Sequence, residues 1–117
     1  MQWETNVRNS KNVWKLSINP RIILTRYGFR IDKTASKMLL DLDGTRYFEI
    51  GYDAQAGIIG FHPSEDGYKM SRNRNEYKIG NAHLVKSIGV LPNRGTPWDL
   101  RNIRIEGDIL YGDLPIS

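Results

Sequence analysis

Seven basic side chains are the residues best suited to chemistry in this chain, and that chemistry is the binding of a polyanion. An arginine guanidinium matches phosphate oxygens and guanine edges, and a lysine ammonium supplies a point charge. Residues 72–75, Arg-Asn-Arg-Asn, are the most suggestive segment, because arginine and asparagine together can contact base edges. The alternative is a hydrophilic hairpin tip that is polar because it is solvated. The candidate nucleic-acid-binding residues are Arg26, Arg30, Lys33, Lys37, Arg72, Arg74 and Lys78.

The positive charge lies in two blocks of the sequence. Residues 1–40 carry eight Lys and Arg against two Asp and Glu, and residues 68–104 carry the same numbers. Between them, residues 41–67 carry six acidic side chains and one arginine. If the two basic blocks fold about a common axis, their charges collect on one face and attract polyanions. A scattered, solvated arrangement of these charges is the alternative.

Catalytic chemistry has little support in the residue types present. The chain has no cysteine, which excludes disulfides, thiolate metal sites and cysteine nucleophiles. Neither His62 nor His83 has the spacing of a metal-binding motif, and no glycine-rich phosphate loop is present. We therefore predict a non-catalytic binding protein without cofactor or metal, and a small enzyme is the least favoured hypothesis.

The length and the absence of long apolar runs bound the class of protein. A chain of 117 residues is of ordinary size for a single domain. No apolar run approaches the roughly 20 residues of a membrane span, and residues 1–5 lack the pattern of a signal peptide. We expect no membrane association and a cytoplasmic location, in a bacterium or a phage-infected host cell.

The elements that must position the basic residues are predicted first for residues 1–67. Residues 1–12 form a loose arm or, alternatively, an edge strand held by Trp3. Residues 13–18 alternate as a strand, and residues 21–25 and 29–31 are strands joined by a turn at Tyr27-Gly28. Asp32 is a plausible N-cap for a helix with an apolar face at Ala35, Met38, Leu39 and Leu42, and Gly44 ends it. Residues 46–52 and 58–62 form a hairpin.

The second part of the chain repeats this order in a degraded form. Phe29-Arg30-Ile31 is echoed by Tyr77-Lys78-Ile79 after a polar loop at residues 72–76, and Asn81 caps a second short helix. A last hairpin joins residues 101–105 to 108–111. We predict one domain over residues 1–117, with half-repeats at about 13–67 and 68–117. Its class is a β-rich α+β fold, barrel-like or a swapped-hairpin pseudo-two-fold domain, with two short helices.

The first of these halves resembles a known family. Its segment Gly28-Phe29-Arg30-Ile31, the following helix, and the hairpin that turns at Asp53 and ends at Pro63 look like the swapped-hairpin domain of AbrB-type transition-state regulators. The likeness covers residues 21–63 and extends more loosely over residues 68–90. It implies a fold normally built by two interlocked short chains, here by one chain as a pseudo-dimer, with basic residues of the early strands and loops on DNA.

Two classes of partner follow from these observations. DNA or RNA bound by a basic face is marginally favoured. The alternative is a phage or mobile-element inhibitor that binds a host nucleic-acid-handling protein, for example an anti-CRISPR protein on a CRISPR effector nuclease. Aromatic and arginine side chains dominate protein interfaces, so the possible anchors in that case are Tyr47, Tyr52, Tyr68 and Trp98. Core packing is the alternative role for each of these aromatic residues.

Overall fold

The computed structural model describes residues 19–53, 55–88 and 97–115, in which short hairpins alternate with two helices. The predicted arm at 1–12 and the predicted strand at 13–18 lie outside the described residues. The elements in chain order are β1 (Ile22–Thr25), β2 (Gly28–Ile31), α1 (Lys33–Asp43), β3 (Tyr47–Asp53), β4 (Ile58–Pro63), β5 (Tyr68–Lys69), β6 (Ser71–Asn73), β7 (Glu76–Ile79), α2 (Ala82–Ile88), β8 (Trp98–Asp99), β9 (Arg101–Glu106) and β10 (Ile109–Asp113).

The strands form two antiparallel sheets of five strands each. Sheet A has the order β6-β7-β2-β1-β8, and sheet B has the order β5-β3-β4-β10-β9. The predicted strand-rich α+β class with two short helices is confirmed. The two sheets do not close into a barrel, because each ends in edge strands that pair on one side only.

Each sheet takes one hairpin from the first part of the chain and one from the second. In sheet A, the β1–β2 hairpin meets the β6–β7 hairpin, and Phe29, Arg30 and Ile31 pair with Ile79, Lys78 and Tyr77 in that order. Arg30 therefore lies opposite Lys78, its counterpart in the sequence repeat, as two copies related by a local two-fold axis would place it. In sheet B, the β3–β4 and β9–β10 hairpins meet in the same way through β4 and β10.

Local signals fix both ends of α1. The Asp32 carboxylate accepts a hydrogen bond from the Ala35 amide at 2.8 Å, which satisfies a donor that the first helical turn leaves free. Gly44 ends the helix with a φ of 73°, and its amide donates to the Leu40 carbonyl. The predicted caps at Asp32 and Gly44 are confirmed.

A single apolar core lies between the inner faces of the two sheets. Phe29 of sheet A and Phe61 of sheet B meet edge to face with their ring centroids 5.0 Å apart. Both side chains are fully buried, together with Ile22, Leu24 and Ile59 among others. The charged side chains of the strands are therefore left on the outer faces, at the sheet ends or on the edge strand β6, because the centres of the inner faces are occupied by this core.

The predicted polar loop at residues 72–76 is wrong. Arg72 and Asn73 belong to β6, Asn73 pairs with Glu76 of β7, and only Arg74 and Asn75 form the turn between them. Arg74 has a φ of 60°, a conformation that glycine and asparagine adopt far more readily than arginine. The sequence therefore lacked the usual residue signal of a tight hairpin at this position.

Candidate nucleic-acid interface

The charges are distributed unequally between the two sheets. The two central hairpins of sheet A, residues 22–31 and 71–79, carry five basic side chains and one carboxylate, that of Glu76. The central hairpins of sheet B, residues 47–63 and 101–113, carry two arginines and five carboxylates. Because the core lies between the sheets, the sheet A hairpins form the more basic side of the protein, although β8 adds the carboxylate of Asp99, and the sheet B hairpins form the more acidic side. The five basic residues of sheet A are Arg26, Arg30, Arg72, Arg74 and Lys78.

The two tight turns of sheet A each begin with an exposed arginine. The β1–β2 turn is Arg26-Tyr27 and the β6–β7 turn is Arg74-Asn75, so the two arginines occupy the same position of the two hairpins. Since β2 and β7 are antiparallel, the turns lie at opposite ends of the sheet, roughly 20–25 Å apart at about 3.3 Å per residue. Neither arginine forms an ion pair with another described residue.

The centre of the outer face of sheet A holds Arg30 and Lys78 side by side. Glu76 compensates this pair of like charges: Arg30 Nε donates to Glu76 Oε1 at 2.9 Å and Arg30 Nη2 donates to Glu76 Oε2 at 2.8 Å. These hydrogen bonds hold the pKa of the Glu76 carboxyl below its ordinary value and raise that of Arg30. The Arg30 guanidinium is therefore already paired with Glu76, whereas Lys78 forms no ion pair within the described part of the chain.

The remaining predicted contact residues lie away from this centre. Arg72 pairs with Tyr77 and so points to the face opposite Arg30, where its Nε donates to the Arg74 carbonyl at 3.2 Å. Lys33 and Lys37 are exposed on the first turns of α1, which follows β2 directly. The structure thus brings Arg30 and Lys78 together, and it places the other five at the sheet ends, at the sheet edge or on α1.

The carboxylates that compensate the basic residues were missed from the sequence. Glu76 accepts two hydrogen bonds from Arg30, and Asp99 accepts two from Arg21. Arg21 Nε lies 2.9 Å from Asp99 Oδ1. The Arg21 and Asp99 positions are 78 residues apart, and those of Arg30 and Glu76 are 46 apart. Local sequence patterns do not predict such long-range ion pairs, because these pairs depend on which strands become neighbours.

Of the two histidines considered for catalysis, His83 lies on α2 and His62 lies on the outer face of sheet B. His62 Nε2 lies 3.1 Å from Asp108 Oδ2, and His62 Nδ1 lies 4.0 Å from Glu49 Oε1. All three side chains are at least two-fifths exposed, so they do not form a buried acid–base pair. Within residues 19–53, 55–88 and 97–115, no group of three or more potential ligands could hold a metal ion.

Comparison with other proteins assigns the chain to no family. No protein-family model, curated protein sequence or solved structure matches the chain.

None of the described helices is long and apolar enough to span a membrane.

Proposed function

We propose that the protein binds nucleic acid through the basic side formed by sheet A. The observation that carries this proposal is the separation of charge. The central hairpins of sheet A carry one carboxylate and five basic side chains, of which all but Arg72 lie on the outer face or at the turns, whereas those of sheet B carry two arginines and five carboxylates. Such a distribution attracts a polyanion to the sheet A side of the protein, whereas the sheet B side repels the polyanion. The exposed Arg26 and Arg74 lie at the two turns, roughly 20–25 Å apart, and Lys78 lies between them.

The resemblance to AbrB-type domains points in the same direction. Sheet A consists of two hairpins whose second strands pair about the Arg30–Lys78 position, which supports a swapped-hairpin pseudo-dimer in a single chain. This function implies a cytoplasmic location in a bacterium or a phage-infected cell, because the protein would encounter nucleic acid there.

The test is fluorescence anisotropy with labelled random double-stranded and single-stranded DNA and RNA at several salt concentrations. The variant Arg26→Gln/Arg74→Gln removes both turn arginines, and its control Arg46→Gln/Arg101→Gln removes two exposed arginines outside sheet A. Loss of two phosphate contacts lowers the slope of log K against log salt by about 2 for double-stranded DNA. Equal weakening by both variants, or no binding even at low salt, would contradict the proposal.

Glu76 provides a test in the opposite direction. Substitution Glu76→Gln frees the Arg30 guanidinium while leaving a side chain of nearly the same shape, so affinity for nucleic acid is expected to rise several-fold. A matched variant, Glu49→Gln, removes the same charge from the outer face of sheet B and is expected to change affinity much less. If the two variants gave the same increase, net charge rather than the sheet A surface would explain the binding.

A specific observation also favours a second candidate, the inhibitor of a host nucleic-acid-handling protein. The outer face of sheet A carries two bidentate ion pairs, Arg21–Asp99 and Arg30–Glu76, so it presents mixed charges, as protein-binding surfaces do. Of the proposed aromatic anchors, only Tyr47 is largely exposed, at 40%. The other three, Tyr52, Tyr68 and Trp98, pack partly against the core. A stoichiometric complex with a CRISPR effector nuclease, without affinity for free nucleic acid, would support this candidate.

A further inference from the structure

The outer edge of β3 is only partly covered. Its inner neighbour β4 pairs with it along Phe48–Asp53, but its other neighbour, β5, pairs only with Tyr47 and Phe48. Among the described residues, nothing pairs with β3 from Glu49 to Asp53 on that side. Within the described part of the chain, the strand therefore has an open edge of five residues, and such an edge is a template for an added strand.

The backbone groups that face this open edge can be assigned from the neighbouring hydrogen bonds. The Tyr47 carbonyl accepts from Ser64 on the β4 side, and the Arg46 carbonyl accepts from Met70 on the β5 side. Because successive residues of a strand direct their amide and carbonyl groups to alternate sides, Ile50 and Tyr52 face the open edge. An antiparallel segment could therefore form four hydrogen bonds, two with each residue.

A groove of about 430 Å³ lies beside this edge on the outer face of sheet B. It exists because Gly51 and Gly60 pair directly with each other and leave a floor without side chains. Ile109 and Tyr111 of β10 form one wall, and a Cβ on Gly60 would lie only 3.2 Å from the Ile109 side chain. At Gly51, which is next to the open edge, a Cβ would meet nothing within 4 Å. The floor is thus accessible from the edge.

The groove has a carboxylate at each end on the β3 side. Glu49 and Asp53 flank Gly51 at two residues on either side, so all three lie on the outer face. Among the described groups, Glu49 has only the 4.0 Å contact with His62, and Asp53 Oδ1 accepts hydrogen bonds from the amides of Gln55 and Ala56. Neither carboxylate is neutralised by an arginine or lysine, which favours a basic ligand over an acidic one.

The opposite edge of the same sheet is protected in ways that β3 is not. In β9 the pairing with β10 shifts between Tyr111 and Asp113, and Asn102 has a φ of 53°, as in a β-bulge. Arg104 on this strand is held by Asp113 at 2.9 Å. Bulges and basic side chains are the devices that keep sheet edges from pairing, whereas Glu49–Asp53 has a regular register with β4 and no basic residue.

We propose that this edge binds an extended peptide by antiparallel strand addition, and that the peptide carries basic residues at two positions separated by four, with a large apolar residue midway. The basic side chains would lie opposite Glu49 and Asp53. The apolar one would cover Gly51 and lean over the groove, since a large side chain across from a strand glycine replaces the packing that the glycine lacks. The occupant is a peptide segment of another protein.

The probe is the capped, fluorophore-labelled peptide Thr-Lys-Thr-Trp-Thr-Lys-Thr, which places its lysines and tryptophan on one face of a strand. Its control is Thr-Lys-Lys-Trp-Thr-Thr-Thr, which has the same composition and charge but breaks the alternation. We expect the alternating peptide to bind the full chain at least fivefold more tightly in an anisotropy titration. Equal affinity of the two peptides, or no binding of either, would overturn the proposal.

Two further comparisons separate strand addition from simple charge attraction. Methylation of the amides of the third and fifth peptide residues removes the donors that face Ile50 and Tyr52, and it should weaken binding at least tenfold; unchanged affinity would refute strand addition. The variant Glu49→Gln/Asp53→Asn should weaken binding at least fivefold. Its charge-matched control Asp41→Asn/Asp43→Asn, on α1, should leave affinity within twofold. Equal effects of both variants would also refute the proposed site.

Discussion

The loop between β4 and β5 lies against the β3 backbone at Gly67, and the substitution Gly67→Ala should be strongly destabilising. A Cβ on Gly67 would overlap the carbonyl group of Phe48 and lie 2.7 Å from the Glu49 nitrogen. Carbon atoms in contact are normally about 3.5–4.0 Å apart, so the loop or the strand must move by roughly 1 Å. All the obstructing atoms are backbone atoms and cannot rotate away.

The expected cost is about 2–3 kcal/mol, the upper part of the range for overpacked sites. The displaced loop would also strain the short pairing of β5 with Tyr47 and Phe48. With an unfolding entropy of about 2.1 cal/mol/K per residue, this cost lowers the Tm of a domain of this size by roughly 8–12 °C. Chemical denaturation followed by circular dichroism gives the free energy of unfolding, and a thermal scan gives the Tm.

The matched control is Gly51→Ala in the same strand region, where the new methyl group meets no atom within 4 Å. It should change the free energy of unfolding by no more than about 1 kcal/mol, on the stabilising side, because alanine loses less conformational freedom than glycine. If Gly67→Ala were as stable as the wild type, or if both variants lost the same stability, the close approach of the loop to β3 would be refuted.

Three other predictions concern the basic side and α1. The Arg30 hydrogen bonds lower the pKa of the Glu76 carboxyl in the folded protein. The Glu76–Arg30 pair therefore stabilises the protein fully above the ordinary pKa of 4.5, and this stabilisation is lost as the pH falls through the lower folded-state pKa. Urea titrations from pH 6 to about 3 should therefore show a smaller loss of stability for Glu76→Gln than for the wild type, and parallel curves would contradict this. Arg74→Gly should stabilise the protein by about 0.5–1 kcal/mol by relieving the positive φ, whereas Arg26→Gly, where φ is negative, should destabilise it by up to about 1 kcal/mol; equal Tm shifts would argue against strain at the second turn. Asp32→Ala should cost about 1 kcal/mol by removing the N-cap, and Asp32→Asn should restore most of it in the same denaturation assay; no difference between the two would mean that the cap contributes little.

Features that depend on neighbouring residues could be predicted from the sequence. Asp32 and Gly44 mark the ends of α1 because a capping carboxylate and a residue that tolerates positive φ act within one helical turn. The β3–β4 hairpin follows from its alternating strands and the turn residues between them. The same local logic failed at Arg74, where tertiary pairing of β6 with β7 imposes a turn that the residue types do not favour.

Features of the candidate sites that depend on strand order could not be predicted. The sequence shows that basic residues are concentrated in two blocks, but not that Arg30 lies beside Lys78 or that Glu76 binds Arg30. It likewise places Glu49 and Asp53 on a strand without showing that β5 stops short of them. Both facts are set by which hairpins meet in a sheet, and pairings between distant segments leave no periodic signal.

Each sheet takes one hairpin from each of two parts of the chain. The two parts must therefore fold together, as the two different subunits of an obligate heterodimer do. A fragment ending in the loop at Ser64–Gly67 would hold the β1–β2 and β3–β4 hairpins, one for each sheet, and neither would have its central neighbour. The complementary fragment would be in the same position. Each fragment alone would expose half of the core, but the two should reassociate when mixed, as a split protein does. During synthesis, stable structure would have to wait until β10 leaves the ribosome, so the exposed hairpins of the first part must remain soluble meanwhile.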